Sequence, residues 1–269
     1  MLRKREHEEI NQLHDGTSEL SAAAMVDEPS ERRMYKRYRE FFRDADQHRT
    51  WNLWNDIPWN EIPETPASEE LIAAVERRYV ELMFLPDYSS RALQSQRSSR
   101  GRAWFMTRWA YDESKHLLGL QEWLILRAGY TDEICRNTWE RELTENQWIP
   151  PIDTPEAVLI DSLAWECYEI DGLAAIRDLA VTGGDVTLLR LIDHLLLDDA
   201  AHMSFLRDSI QEVRNSRPDE IAEALEAVCA TLVDPGLVGL RQYAHAGRLE
   251  RVLCFRRALP PRQFAQDAL

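Results

Sequence analysis

Two strings in this chain set a carboxylate three residues before an imidazole: Glu113-Ser114-Lys115-His116 and Asp199-Ala200-Ala201-His202. Each lies in a run that reads as helix. On a helix, residues i and i+3 share a face, so both side chains of a pair can reach one point. A carboxylate and a His from each of two facing helices, with a Glu from each of two others, build a two-metal carboxylate site inside a helical bundle. The chain supplies bare carboxylates too, Glu81 before the first pair and Glu166 between the two. Hard oxygen donors with only two imidazoles suit iron, with manganese as the alternative, rather than a thiolate-selected metal. Vacant positions on such a pair of ions can activate dioxygen, and the protein then steers the oxidant. A lone carboxylate–His pair is ordinarily a capping or salt-bridge pair. Two of them, on two long helices and in this order among bare acids, point to metal. Trp109, Leu117 and Leu120 lie near the first pair and Leu195 to Leu197 near the second. Acids and imidazoles amid such residues are costly to bury unless paired or metal-bound.

Four long helices must position these groups. The first is expected to start at Ser68, an N-cap followed by acids. It passes Glu76 and Glu81 and meets Pro86, which removes a backbone hydrogen bond and kinks it. Residues 97–101 (Arg-Ser-Ser-Arg-Gly) break the chain before the second, expected over about 103–128 and ended by Gly129. A shorter helix follows from about Asp132 and stops at Pro150-Pro151. Thr154-Pro155-Glu156 gives an N-cap with Pro at the first helical position. The third long helix then carries Glu166 and Glu169 to about Val181. After the Gly183-Gly184-Asp185 turn, the fourth spans about 186–214. Two amphipathic helices are expected over about 218–232 and 236–257. Ahead of the bundle, Arg32 to Arg43 is a basic helical piece. Trp51 to Trp59 is an irregular aromatic arm packed across the bundle. The organisation expected is a flexible acidic tail at 1–30, one domain at 31–258 and a C-terminal tail at 259–269.

Composition agrees. Leu, Ala, Glu and Arg are abundant and only ten of the 269 residues are Gly, a mix that favours an all-α fold. No run of about 18 uncharged apolar residues exists, so no membrane span is expected. The N-terminus lacks the apolar core of a signal peptide, and a cytoplasmic location is expected. Cys135, Cys167, Cys229 and Cys254 are scattered with no CxxC, which argues against a thiolate site or disulfide framework. A formal net charge of −15 argues against nucleic acid as partner. The acidity is uneven. Arg91, Arg97, Arg100 and Arg102 form one basic cluster, and Arg248, Arg251, Arg256, Arg257 and Arg262 another. Each is either a solvated face or a dock for an acidic partner.

The order Glu, Glu-x-x-His, Glu, carboxylate-x-x-His resembles the soluble acyl-carrier-protein desaturases of the ferritin-like superfamily. The intervals from Glu113 to Glu166 and from Glu166 to Asp199 are similar to that family's, without gaps. The run Thr107 to His116 resembles the family's approach to its first Glu-x-x-His, and Asp198 to His202 its Asp-Glu-x-x-His. The Trp-rich segment at 51–59 resembles its N-terminal arm. The resemblance spans roughly residues 50 to 245. It implies a ferritin-like four-helix-bundle core with extra helices and an N-terminal arm. It also implies two iron ions held by Glu81, Glu113, His116, Glu166, Asp199 and His202, with Glu76 as the alternative to Glu81. Asp199 would stand for a Glu. Asp198 would orient a ligand His, and Trp51 or Trp54, of which Trp54 is the choice, would complete that chain. Glu169, one turn after Glu166, replaces a small hydroxyl residue near the oxygen-binding face, where it could bind metal, relay protons or alter oxygen cleavage. His194 is expected to be a core or surface residue.

The activity implied is an O2-dependent oxidase removing hydrogens from an acyl chain on an acyl carrier protein docked at Arg91, Arg97, Arg100 and Arg102. An external electron donor such as ferredoxin and a homodimer are implied as well. Glu169 and Asp199 keep a sister chemistry open: hydroxylation, N-oxygenation or oxidative cleavage of a small or carrier-bound substrate. A non-catalytic ferritin-like binding protein is the third reading, with Asp199 marking decay of the site. A terpene-synthase reading of Asp198-Asp199 fails for want of a second metal motif.

Overall fold

Side-chain caps set where the helices begin. Ser68, Ser99, Thr154 and Asp185 each accept the backbone N–H three residues on, from Leu71, Arg102, Ala157 and Leu188. Each satisfies one of the donors left unpaired at a helix start. Gly129 and Gly184 stop two of the long helices in the left-handed region, at φ 72° and 65°, where a side chain would be strained. The computed structural model describes residues 28–145 and 154–233. Among them the chain is all-α: α1 (Glu28–His48), α2 (Glu69–Leu82), α3 (Leu85–Ser95), α4 (Arg100–Ala128), α5 (Asp132–Glu145), α6 (Pro155–Gly183), α7 (Val186–Ser216) and α8 (Pro218–Val233). A short 3-10 turn, Trp59–Glu61, precedes α2. No described helix is long and apolar enough to cross a membrane.

The core is a ferritin-like four-helix bundle with extra helices. α2 packs on α4 and α6, α4 touches α7, and α6 runs along α7. α1 covers α4 and α7, and α8 closes against α6 and α7. Gly101 lets α1 lie close on α4, since a Cβ there would stand 2.6 Å from the carbonyl carbon and oxygen of Met34. The arm after α1 buries Trp51, Leu53 and Ile57 and is pinned where the Thr187 hydroxyl donates to the Pro58 carbonyl at 2.9 Å.

Two expectations are corrected. The first long helix does not run kinked through Pro86. It ends at Leu82, and the chain starts again as α3 with Pro86 in the first turn, where the missing N–H has no partner to lose. The expected tail at 1–30 also ends early, because α1 begins at Glu28. The rest of that tail, Pro150-Pro151, the helix expected over 236–257, Cys254, the second arginine cluster and the tail at 259–269 lie outside the described residues.

The buried apolar side chains form two clusters. One gathers Phe105, Met106 and Trp109 of α4, Leu163 and Ile170 of α6 and Met203 and Leu206 of α7. The other gathers Leu120 and Trp123 of α4, Leu173 and Ile176 of α6, Leu191 and Leu195 of α7 and Trp51 of the arm. On α4 and α7 the change from one cluster to the other falls at buried charged residues, Asp112 to His116 and Asp198 to His202, and on α6 it falls just after Glu166 and Glu169, between Ile170 and Leu173. The fold therefore holds a polar layer between two apolar cores.

Candidate metal centre

α4 and α7 present matching faces to that layer. Asp112, Glu113 and His116 stand on α4, and Asp198, Asp199 and His202 on α7, all buried. The inner residues converge. One ligand atom from each of Glu113, Glu166, Asp199 and His202 lies within 4.8 Å of the others. His202 Nδ1 is 3.6 Å from Glu113 Oε1 and from Glu166 Oε1. His116 Nδ1 is 3.5 Å from Asp199 Oδ1 and 3.8 Å from Glu113 Oε1. Both imidazoles thus turn the same nitrogen inward.

The outer nitrogens meet the outer aspartates crosswise. His202 Nε2 faces Asp112 Oδ2 of α4 at 3.4 Å, and His116 Nε2 faces Asp198 Oδ2 of α7 at 3.6 Å. Each helix positions the other's imidazole, a device that fixes ring orientation and raises ligand basicity. The aspartates are held in turn. Lys115 spans them, 3.2 Å from Asp112 and 3.5 Å from Asp198. Arg108 donates to Asp112 at 3.0 Å, and the Trp51 indole N–H donates to Asp198 at 2.8 Å. Burial pushes the Asp198 carboxyl up, but the hydrogen bond and charge of His116 outweigh it and hold the group at about 2. Asp112 is likewise held below its ordinary value, His202 and Arg108 overriding burial.

The inner carboxyls behave oppositely. Burial first, and then the charge of Glu169, push Glu113, Glu166 and Asp199 well above the ordinary range. His202 is pulled down by burial, but Asp112 and Glu113 push it up to about 10. Both oxygens of Glu113, both of Asp199, Glu166 Oε2 and His202 Nδ1 are buried with no hydrogen-bond partner. Leaving one such group unsatisfied costs about 1–3 kcal/mol. Oxygen and imidazole donors gathered without relief, and no thiolate among them, fit a hard or borderline divalent cation. Glu166 Oε1 is fixed by the Trp109 indole N–H at 2.5 Å. Phe41 and Phe105 pack beside His202, at ring-centroid distances of 6.2 and 6.1 Å.

Of the residues expected here, Glu113, His116, Glu166, Asp199 and His202 come together and Asp198 stands behind them. Glu81 does not join. Arg78 donates to its Oε2 at 2.6 Å and the Tyr168 hydroxyl to its Oε1. Glu76 instead accepts from the Tyr130 hydroxyl. Glu169 is buried next to the inner carboxyls and accepts from Arg78. Trp54 is corrected: it is 59% exposed, and Trp51 holds Asp198. His194 is half-buried and stacks on Trp51 at 5.0 Å. Within the first arginine cluster, Arg91, Arg97 and Arg100 are exposed, but Arg102 is 1% exposed and cannot dock a partner. Cys135 and Cys167 are buried and Cys229 is half-buried, and none of the three is in a disulfide.

Asp112, Arg78, Lys115 and Tyr168 were not singled out by the sequence. Asp112 had a signal, since it precedes Glu113 as Asp198 precedes Asp199. Arg78 had none, because an Arg three residues before a Glu reads as a surface pair. Compared with known proteins, the chain matches no family model and no curated protein.

Proposed function

We propose that this protein is an O2-dependent oxidoreductase whose metal centre is built on Glu113, Glu166, Asp199 and His202, with His116 beside them. The observation that carries this reading is the set of buried donor atoms without hydrogen-bond partners in that group. Asp199, one methylene shorter than Glu, still reaches the group, which weakens the reading of a decayed, non-catalytic site. A bound iron or manganese ion supplies the redox chemistry that activates dioxygen. The chain's own residues do the rest. Asp112 and Asp198 orient the two imidazoles. Phe41, Phe105 and Phe205 keep water from the His202 side. Glu169, buried beside the inner carboxyls and paired with Arg78, sets the charge around them.

The resemblance to acyl-carrier-protein desaturases supports a substrate presented as an acyl chain, an electron donor such as ferredoxin and a homodimer; the second ion it implies, on Glu81, is taken up below. Arg91, Arg97 and Arg100 would receive the acidic carrier. A small cavity walled by Tyr88, Trp109, Val158 and Trp165 lies beside the centre, bounded by the Trp109 ring whose N–H holds Glu166. Glu169 favours a second outcome at the same centre, insertion of oxygen rather than removal of hydrogen, because a third acid stands where the desaturases carry a small hydroxyl residue. The test is O2 uptake by the iron-loaded protein, with product mass analysis on acyl-carrier and small-molecule substrates. Desaturation removes two hydrogens and insertion adds oxygen. Uptake no faster than with free iron, and unchanged in Glu113→Ala, would sink the proposal.

A further inference from the structure

We infer that the centre holds one metal ion per chain, the Arg78 guanidinium standing between Glu81 and Glu169 in the place of a second. This rests on the metal-dependent reading above and departs from the two ions that the resemblance implies.

A dinuclear site in this architecture needs a carboxylate from each of the two helices without a His. α6 provides Glu166. From α2 only Glu81 lies buried in the polar layer, and both of its oxygens are engaged, one by Arg78 and one by Tyr168. Arg78 is not a passing surface partner. It is 3% exposed, and its guanidinium carbon lies 4.9 Å from the Trp165 ring centroid and 5.2 Å from that of Tyr168. Its second arm reaches Glu169. One planar cation thus ties α2 to α6 through two acids, as a bridging metal would. A guanidinium stays charged at any working pH. A divalent ion approaching Glu81 would have to displace that charge or sit against it in a water-poor layer, where repulsion is strong. Among the described residues no Lys or Arg forms an ion pair with Glu113 or Asp199, whose charged partners are His116 and His202, so the first ion's place is open while Glu81's is taken. Among the described residues, the only group of candidate ligands that gathers is the one without Glu81.

Iron content and Mössbauer spectra of the full chain, reconstituted with excess ferrous iron, test this. The expected result is close to one ion per chain with a magnetically isolated spectrum, unchanged in Glu81→Gln, and rising toward two in Arg78→Ala, where Glu81 and Glu169 are released. Two ions in the wild type, or loss of an ion in Glu81→Gln, would overturn the inference and leave the metal-dependent reading standing. No bound ion in the wild type would overturn both. If Arg78→Ala does not fold, the wild-type count and Glu81→Gln decide.

Discussion

Replacing Glu166 by Gln should stabilise the metal-free protein while weakening metal binding. Glu166 Oε1 accepts from Trp109 at 2.5 Å, and its Oε2 has no partner. Gln keeps the first contact and turns the second atom into a donor facing other carboxylates. Removing one unsatisfied buried acceptor is worth about 2 kcal/mol. For a chain of this size that raises Tm by roughly 4–8 °C. The gain depends on pH, with a definite sign. Burial and Glu169 raise the folded-state pKa of Glu166 well above its ordinary 4.5. The stability that protonated Glu166 contributes is therefore full below pH 4.5 and is lost as pH rises toward the folded value. Gln does not titrate, so its advantage should be small at pH 5 and larger at pH 8. Saturating metal reverses the order, because the wild type gains about 2.7 kcal/mol at a concentration one hundred times Kd and the variant gains less. Thermal unfolding by circular dichroism, with chelator and then with ferrous or manganous ion, measures all of this. A chelated variant that melts at or below the wild type at pH 8 would refute the reasoning.

Three further outcomes follow from the same geometry. Asp112→Asn and Asp198→Asn leave every inner ligand in place but weaken the clamps on His202 and His116, so each should lower metal affinity by about 10–100-fold in a competition titration; unchanged affinity in both would show the crosswise contacts to be incidental. Trp51→Phe should lower affinity in the same direction by removing the donor to Asp198, whereas Trp54→Phe, at an exposed position, should change stability by less than about 0.5 kcal/mol and leave affinity alone. Metal uptake should release protons, because His202 is held at about 10 without metal and burial and Glu169 raise the inner carboxyls; affinity should fall as pH drops, and calorimetry in buffers of different ionisation enthalpy reads the proton count.

What was legible in the sequence was local. Glu113 with His116, and Asp199 with His202, declare themselves because helical periodicity alone places residues three apart on one face. Glu166 followed from its place between the two pairs, and the caps at Ser68 and Thr154 from their residue types. What was not legible depended on which helix faces which. The crosswise pairing of Asp112 with His202 joins residues ninety positions apart. Trp51 and Trp54 differ only by the path of an irregular arm, which has no period to orient its side chains. Glu81 has the right type and order, and it stays out of the gathered group because buried Arg78 and the Tyr168 hydroxyl engage its two oxygens. Pro86 was read as a kink because its sequence position does not reveal that a new helix begins there.

The most direct test of the central claim is an anaerobic titration of the full chain with ferrous ion, wild type beside Glu113→Ala. The expected result is saturable, tight binding by the wild type that the variant loses. Binding equal in the two proteins, or none in the wild type, would contradict the assignment of this buried group as a metal centre.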